Sequence, residues 1–191
     1  MKRGIDFILA VFCLVIFSPL MVFCAVAIRR EDGLPVIYSQ ERIGRHGKPF
    51  MIYKFRTMKK DAEDGGIPKL VEMPNDPRLT HIGAKLRKHH LDELPQLWNV
   101  VKGDMAFIGP RPERKYYIDR IMQYDPRYEQ LYALRPGVTS YATLYNGYAD
   151  TMEKMLRRLE LDLYYLRHHS LWLDVSILFK TFLSIITGKI F

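Results

Sequence analysis

The sequence predicts an α+β fold: a mainly helical, membrane-associated domain with a short β-hairpin and an N-terminal re-entrant membrane helix. Three observations predict it. An apolar run from Phe7 to Ile28 has basic residues on both flanks. Two apolar, β-prone runs lie on either side of "RHGK" at 45–48. Elsewhere amphipathic stretches outnumber strands, without the strand–helix alternation of a doubly wound sheet.

The N-terminal run would measure about 33 Å as a straight helix, against a hydrocarbon core of about 30 Å. Pro19, in its middle, removes one helical hydrogen bond, and Ser18 can satisfy part of the freed backbone. Basic residues at 2–3 and 29–30 favour the cytoplasmic side for both ends. We therefore predict a helix–break–helix over residues 1–30 that enters the membrane and returns at Ser18-Pro19. A plain transmembrane anchor and a signal peptide ending at "AVA" remain alternatives.

Residues 31–191 are long enough for one domain with a core. The net charge of +8 predicts an anionic partner. The basic residues are scattered without a recognition motif, so we expect no nucleic-acid binding. Both cysteines, Cys13 and Cys24, lie in the apolar run, so we expect neither a disulfide framework nor a cysteine-ligated zinc site.

The elements of this domain follow from periodicity and turn signals. The runs "LPVIYSQERIG" and "PFMIYKFRTM" predict a β-hairpin. The polar, Gly/Pro-rich segment 59–77 predicts a loop. Helical spacing predicts helices over 78–90, after "LDELP" and over 150–168, and a helix over 113–134 that is broken near Asp125-Pro126. Turn signals predict a loop over 135–148. The apolar C-terminal segment, 170–191, predicts either a core helix or one that lies in the headgroup region.

The pair Asp92-Glu93 in "LDELP" has two interpretations. Asp92 is a good N-cap residue, with Glu93 at the first helical position and Pro95 inside the first turn, which would be purely structural. A helix N-terminus also keeps a carboxylate ionised and binds phosphate, so Asp92 could attack phosphorus and form an acyl phosphate. Glu93 could then hold Mg²⁺ together with substrate phosphates.

The motif "GPRP" places Arg111 between two prolines, Pro110 and Pro112, which restrict the backbone on both sides. Such an arginine suits bidentate contact with phosphate, as does Arg135 in "RPG"; a solvated turn is the alternative for both. The histidine pairs at 89–90 and 168–169 lack metal-ligand spacing, so we expect surface or interfacial positions for them.

Taken together, these motifs resemble the bacterial sugar transferases, the monotopic phosphoglycosyl transferases in their small, catalytic-domain-only form. The resemblance covers almost the whole chain. It is carried by "IDF", Ser18-Pro19, "YKFRTM", "RPGVT" and "ELDLYYL", and above all by the run from Leu91 to Pro112, "LDELPQLWNVVKGDMAFIGPRP".

The resemblance implies transfer of a sugar-1-phosphate from a nucleoside diphosphate sugar, usually a UDP-sugar, to a polyprenol phosphate such as undecaprenyl phosphate. The reaction releases UMP and is the first membrane step of capsule, O-antigen, exopolysaccharide or glycoconjugate synthesis. It implies a monotopic protein on the cytoplasmic face of the bacterial inner membrane, with 31–191 as the catalytic domain. A homo-oligomer is also compatible with the sequence.

By the same resemblance, Asp92 is the nucleophile that carries the phospho-sugar, and Glu93 assists it and helps to bind the Mg²⁺ cofactor. Arg111, held by Pro110 and Pro112, contacts phosphate. The remaining expected substrate-binding residues are Lys54, Arg56 and Arg135. Ser18 and Pro19 form the membrane break.

One segment departs from the family pattern. Where many members read "RPGITGWAQVNGR", this chain reads "RPGVTSYATLYNGYAD". Loop 138–149 is therefore atypical, and sugar or nucleotide preference could differ through it. A competing hypothesis is a non-catalytic basic peripheral membrane protein that binds acidic lipid or a partner; it leaves "LDELP" and "GPRP" unexplained.

Overall fold

The computed structural model describes residues 2–60, 62, 76–147 and 149–187. Seven α-helices and four strands lie within these ranges. The helices are α1 Lys2–Asp32, α2 His81–Lys88, α3 Gln96–Lys102, α4 Lys115–Tyr124, α5 Tyr141–Asn146, α6 Met152–His168 and α7 Leu171–Thr187. The strands are β1 Ile37–Ile43, β2 Pro49–Phe55, β3 Ala106–Ile108 and β4 Gly137–Thr139. Most of the predicted loop 59–77, and everything beyond 187, lies outside the described residues.

Helix α1 runs through Ser18-Pro19 without the predicted interruption in its secondary structure. Pro19 has no N–H for the carbonyl of Val15, four residues earlier. The Ser18 hydroxyl donates to that same carbonyl at 2.8 Å and takes the place of the missing bond. Helical hydrogen bonding therefore continues past the proline. Within the described ranges, α1 is the one helix long and apolar enough to cross a membrane.

Both ends of α1 contact the folded domain, whereas its middle does not. At the N-terminal end, Arg3 donates to the backbone carbonyls of Val100 and Val101 in α3. At the other end, Glu31 accepts from the backbone N–H groups of His81 and Ile82, which open α2. Between them, residues 15–19 are all exposed. The segment around the proline is thus exposed on all of its faces.

The predicted β-hairpin is confirmed: β1 and β2 pair antiparallel, with Ile43 opposite Pro49. Helix α3 packs against β2 through Asn99, which is fully buried. Its amide donates to the carbonyl of Met51 at 2.7 Å and accepts from the N–H of Tyr53 at 3.1 Å. Asn99 thus bonds to the backbone on either side of Ile52 and fixes α3 relative to β2, the strand that also carries Lys54.

The prediction of a loop over 135–148 was wrong for most of its described part. Strand β4 pairs parallel with β3, and α5 follows directly. The Ser140 side chain caps α5 by accepting from the N–H of Thr143 at 2.9 Å. Three-residue strands and a six-residue helix are too short to show periodicity, and the Gly and Pro residues at 136–137 read as turn signals.

The remaining predicted helices are present. Helix α4 ends at Tyr124, and a 3₁₀ helix, Pro126–Ala133, follows the predicted break. The apolar face of α6 packs on α4 and on this 3₁₀ helix. Leu159 of α6 forms a core cluster there with Ile118 and Leu131. Helix α7 has a mixed role. It buries Ile177, while its other face exposes a series of large apolar side chains: Leu171, Trp172, Val175, Phe179 and Phe182.

Candidate active site

Asp92 lies in a sharp connection between α2 and α3. After α2, His90 adopts a left-handed conformation (φ 54°, ψ 19°), which is uncommon outside glycine. A single 3₁₀ turn, Leu91–Glu93, follows, and α3 begins after Pro95. Asp92 therefore lies inside a short turn. The cap interpretation predicted that Asp92 would be the N-cap of α3, and this was wrong. Since Pro95 occupies the cap position without a side-chain bond, the carboxylates are left for other contacts.

The "GPRP" loop is held by close backbone contact with "RPG". A Cβ added to Gly109 would lie 2.1 Å from the carbonyl oxygen of Arg135, and one added to Gly137 would lie 2.2 Å from the nitrogen of Gly109. Only glycine allows this approach. The Pro110 carbonyl also accepts from the Gly137 N–H at 2.9 Å. The loop that carries Arg111 is thereby fixed next to strand β4.

Glu93 bonds to two other predicted site residues. The Lys54 ammonium donates to its Oε1 at 2.5 Å, and Arg111 Nη2 donates to the same oxygen at 3.1 Å. Burial alone would raise the pKa of Glu93, but the charges of Lys54 and Arg111 outweigh it and hold the pKa well below its usual range. Glu93 is thus an ionised carboxylate that fixes two cations in place.

Asp92 has a different environment from its neighbour. It is 6% exposed. Burial raises the pKa of its carboxyl; Lys54 opposes this effect, and the negative charge of Glu93 adds to it. A buried carboxylate that is not neutralised by its own close ion pair keeps more of its basicity. This is the condition in which a carboxylate is a better nucleophile.

Both carboxylates line a cavity of about 300 Å³, which we call the polar cavity. It is open to solvent, and its wall carries nine Lys or Arg residues and four Asp or Glu residues. The cations are Arg42, Lys54, Arg56, Lys59, Lys60, Arg87, Arg111, Arg114 and Arg158. This excess of positive charge around two carboxylates suits a polyanionic ligand such as a diphosphate.

The expected substrate-binding residues divide into two groups. Lys54, Arg56 and Arg111 all reach the polar cavity. Arg56 also forms an ion pair with Asp32 at 3.0 Å, and so ties the end of α1 to the cavity wall. Arg135 lies apart from the lining residues, and its Nε donates to the Gly103 carbonyl at 3.1 Å, where α3 ends.

Sequence reasoning missed several cavity residues. His90, expected at a surface or interface, is half-buried and lines the cavity. Glu113 accepts a hydrogen bond from Arg158 and lies 3.6 Å from Arg42 in an ion pair. The one signal for this network was the position of Glu113 directly after "GPRP"; Arg42 and Arg158 read as ordinary charges on a strand and a helix.

Asp162, in "ELDLYYL", lies behind the cavity wall. It is 2% exposed, and burial raises its pKa to about 8. The Arg158 charge and the backbone N–H groups of Ala142 and Arg111 act in the opposite direction, and Glu113 adds to the rise. This side chain is therefore a neutral acid at pH 7, located where α6 meets the "GPRP" loop and α5.

A magnesium ion requires oxygen ligands, which the acidic side chains of the site could supply. Within the described ranges, no three His, Cys, Asp or Glu side chains are grouped closely enough to hold a metal. A cage built from protein alone does not fit. Mg²⁺ commonly takes only one or two carboxylates and completes its shell with phosphates and water, which fits Asp92 and Glu93 beside a bound diphosphate.

The family model described as "Bacterial sugar transferase" matches residues 1–188. An Aeromonas hydrophila protein named UDP-N-acetylgalactosamine-undecaprenyl-phosphate N-acetylgalactosaminephosphotransferase is 42% identical over 187 residues, which cover 98% of this chain and 44% of the relative. A UDP-glucose:undecaprenyl-phosphate glucose-1-phosphate transferase of Escherichia coli strain K12 is 39% identical over 183 residues, or 95% of this chain and 39% of the relative.

The chain therefore spans less than half the length of these two relatives. A relative of similar length is the exopolysaccharide production protein PSS of Rhizobium leguminosarum bv. phaseoli, 38% identical over 196 residues that cover 99% of this chain and 97% of the relative. The family model and the identities over nearly the whole chain agree. This chain belongs to the bacterial sugar transferase family.

Proposed function

We propose that this chain is a phosphoglycosyl transferase that moves a sugar-1-phosphate from a UDP-sugar to undecaprenyl phosphate through a covalent intermediate on Asp92, releasing UMP. The observation that carries the proposal is the buried Asp92 carboxylate at the wall of a cationic cavity, next to a Glu93 neutralised by Lys54 and Arg111. The reactions named for the Aeromonas and Escherichia relatives support the choice of substrates.

In the first half-reaction, a carboxylate oxygen of Asp92 attacks the phosphorus that bears the sugar. A P–O bond to that carboxylate forms, the bond between the two phosphates breaks, and UMP leaves with the electron pair. Arg111 lies on a loop held by glycine contacts, so its guanidinium is already placed to bind phosphate oxygens. Lys54, which is paired with Glu93, supplies a second positive charge.

In the second half-reaction, an oxygen of the polyprenol phosphate attacks the same phosphorus. Its bond to Asp92 breaks, and the free carboxylate is restored. Splitting the transfer into two displacements lets one site serve a soluble donor and a lipid acceptor in turn. The expected kinetics are ping-pong.

Asp92 and Glu93 would hold the Mg²⁺ of this proposal together with donor phosphates. When bound, the ion supplies charge neutralisation at the phosphates. Glu93 would keep its ion pairs to Lys54 and Arg111, which orient the carboxylate. EDTA should abolish turnover, and added Mg²⁺ should restore it.

We further propose that α1 enters the inner membrane from the cytoplasmic face and returns to it, with Ser18-Pro19 at its deepest part. A spanning helix would place its ends on opposite sides of the bilayer. Here Arg3 and Glu31, near opposite ends, bond to neighbouring helices of one domain. The exposed apolar face of α7 would lie beside α1 at the same surface. The protein would then be monotopic.

Labelling from outside the cell tests this topology at both ends. Gly4 has open space around it, and Arg30 is exposed. In a chain with Cys13 and Cys24 replaced by serine, Gly4→Cys and Arg30→Cys should both resist an impermeant thiol reagent until the cells are opened. Labelling of exactly one of the two in intact cells would indicate a spanning helix.

Release of UMP tests the activity. With purified protein, Mg²⁺ and a panel of UDP-sugars, sustained UMP release should require added undecaprenyl phosphate. Asp92→Asn and Asp92→Ala should both abolish it. Substantial turnover in both variants would overturn the nucleophile assignment, and no release with any donor would favour a non-catalytic lipid-binding protein.

A further inference from the structure

A second cavity of about 170 Å³ is also lined by Glu93 and Arg111. We call it the apolar cavity. Its wall includes Leu94, Leu97, Val138 and Leu144, and it shares His90, Glu93, Arg111 and Arg158 with the polar cavity. The two cavities therefore adjoin at the same charged groups. Part of the 138–149 segment, which departs from the family pattern, lines the apolar cavity.

The three threonine hydroxyl groups in this wall each share a hydrogen bond with another hydroxyl group. Thr139 Oγ1 and Thr181 Oγ1 share a hydrogen bond of 2.9 Å, and Thr143 Oγ1 shares one of 2.9 Å with Ser140. A sugar ring would need partners for each of its hydroxyls when it leaves water. Since these hydroxyls bond to each other, the wall suits an apolar ligand.

The apolar cavity also lies between the two elements with exposed apolar faces. Leu94, in its wall, packs in the same core cluster as Leu20 and Met21 of α1, directly after the proline. On α7, Ser184 and Thr181 line the cavity, while Phe182 between them is 59% exposed on the outer face. A lipid held at the surface of these two helices would be adjacent to the cavity.

We propose that the apolar cavity receives the first isoprene portion of the polyprenol phosphate acceptor, and that the polar cavity receives the nucleotide sugar. This inference rests on the proposed function. An apolar cavity of about 150 Å³ is enough to bind benzene, so this one has room for about one isoprene unit. The acceptor phosphate would then lie at Arg111, which lines both cavities, and would attack the phosphorus from the position that UMP has left.

A cavity-filling variant separates the two half-reactions. Ser184→Phe places a large side chain in the apolar cavity, away from Asp92. With UDP-sugar alone, the variant should form the covalent adduct and one equivalent of UMP at a rate within about two-fold of the unmodified chain. Transfer to undecaprenyl phosphate should fall at least ten-fold or show a raised acceptor KM. Thr187→Phe, exposed on the same helix, is the matched control and should transfer normally.

Each other outcome has a definite meaning. Normal transfer by Ser184→Phe would overturn the acceptor assignment while leaving the transferase proposal intact. Loss of adduct formation in a variant with an unchanged unfolding midpoint would assign the cavity to the donor instead. Absence of any adduct in the unmodified chain would refute the proposed function itself.

Cross-linking tests the same assignment without a variant. A polyprenol phosphate that carries a diazirine on its first isoprene unit should, on irradiation, label peptides that contain 138–147 or 181–185. Undecaprenyl phosphate in excess should prevent the labelling. Labelling confined to β1 and β2, which line part of the polar cavity, would contradict the proposal even if Ser184→Phe proved unable to fold.

Discussion

The polar cavity and the buried structure behind it contrast in composition and in purpose. The cavity wall is charged and open to solvent, and its carboxylates and cations line the space that a ligand could occupy. Behind it, Asn99, the contact between Gly109 and Gly137, and Asp162 are closed off and bond to backbone. The first region holds the chemistry and the second its geometry. Substitutions in the two regions should therefore affect activity and stability separately.

The largest effect should come from the cavity. Arg111→Lys keeps the charge but loses the planar, two-pronged contact with phosphate, so kcat/KM should fall by about 10²–10³-fold. The midpoint of thermal unfolding should stay nearly unchanged because Arg111 is at a solvent-accessible wall. Arg120→Lys, on the exposed face of α4, is the control. A stability loss as large as the activity loss would break the contrast between the two regions.

Asn99→Leu should show the opposite pattern. The change leaves the Met51 carbonyl and the Tyr53 N–H buried without partners, at a cost of about 2–4 kcal/mol in the free energy of unfolding. The unfolding midpoint should fall by about 2–4 °C per kcal/mol for a chain of this size. Asn146→Leu, which removes an exposed amide contact with Lys154, is the matched control. Equal midpoints for both variants would contradict the role of Asn99.

Gly109→Ala should destabilise the fold somewhat less. Its Cβ would meet the Arg135 carbonyl at 2.1 Å, so β3 and β4 would have to separate, at a cost of about 1–3 kcal/mol. Activity should also fall because Arg111 would move with its loop. Gly4→Ala, where nothing lies within 4 Å, is the control for the calorimetric comparison. An unchanged midpoint would mean that the loop tolerates the extra atom.

The smallest effect, counted per pH unit, comes from the titration of Asp162. The folded pKa of Asp162, about 8, lies above its unfolded value, so its contribution to stability is complete below about pH 4 and is lost as pH rises through 8. The loss can reach about 1.4 kcal/mol per pH unit. Asp162→Asn should remove it, and the variant should gain stability relative to the unmodified chain from pH 5 to pH 8. Asp119→Asn, on the exposed face of α4, should show no such trend. A constant difference across this range would contradict the buried neutral acid.

The contrast between the regions also explains what the sequence could predict. The hairpin and the long helices follow from periodicity. Residue types suited to phosphate chemistry indicated Asp92, Glu93 and Arg111, and the family resemblance added Lys54. Strand β4 and helix α5 were missed because they are short, and their formation depends on a glycine contact between distant segments. Asn99 gave no signal because its partners are backbone groups about 46–48 positions away.

Helix α1 shows the same limit. Ser18-Pro19 predicted an interruption from local rules, whereas the Ser18 hydroxyl replaces the missing bond and the helix continues. Whether its two ends return to one side depends on contacts such as that between Arg3 and Val101, which no local pattern contains.

The central claim is that Asp92 becomes esterified to the phospho-sugar. Intact-protein and peptide mass spectrometry of purified enzyme, incubated with UDP-sugar and Mg²⁺ without acceptor and quenched in acid, tests it most directly. We expect one added sugar phosphate per chain, located on the peptide at Asp92, absent from Asp92→Asn and discharged by undecaprenyl phosphate. An active enzyme with that peptide unmodified, or with the adduct on another residue, would contradict the account.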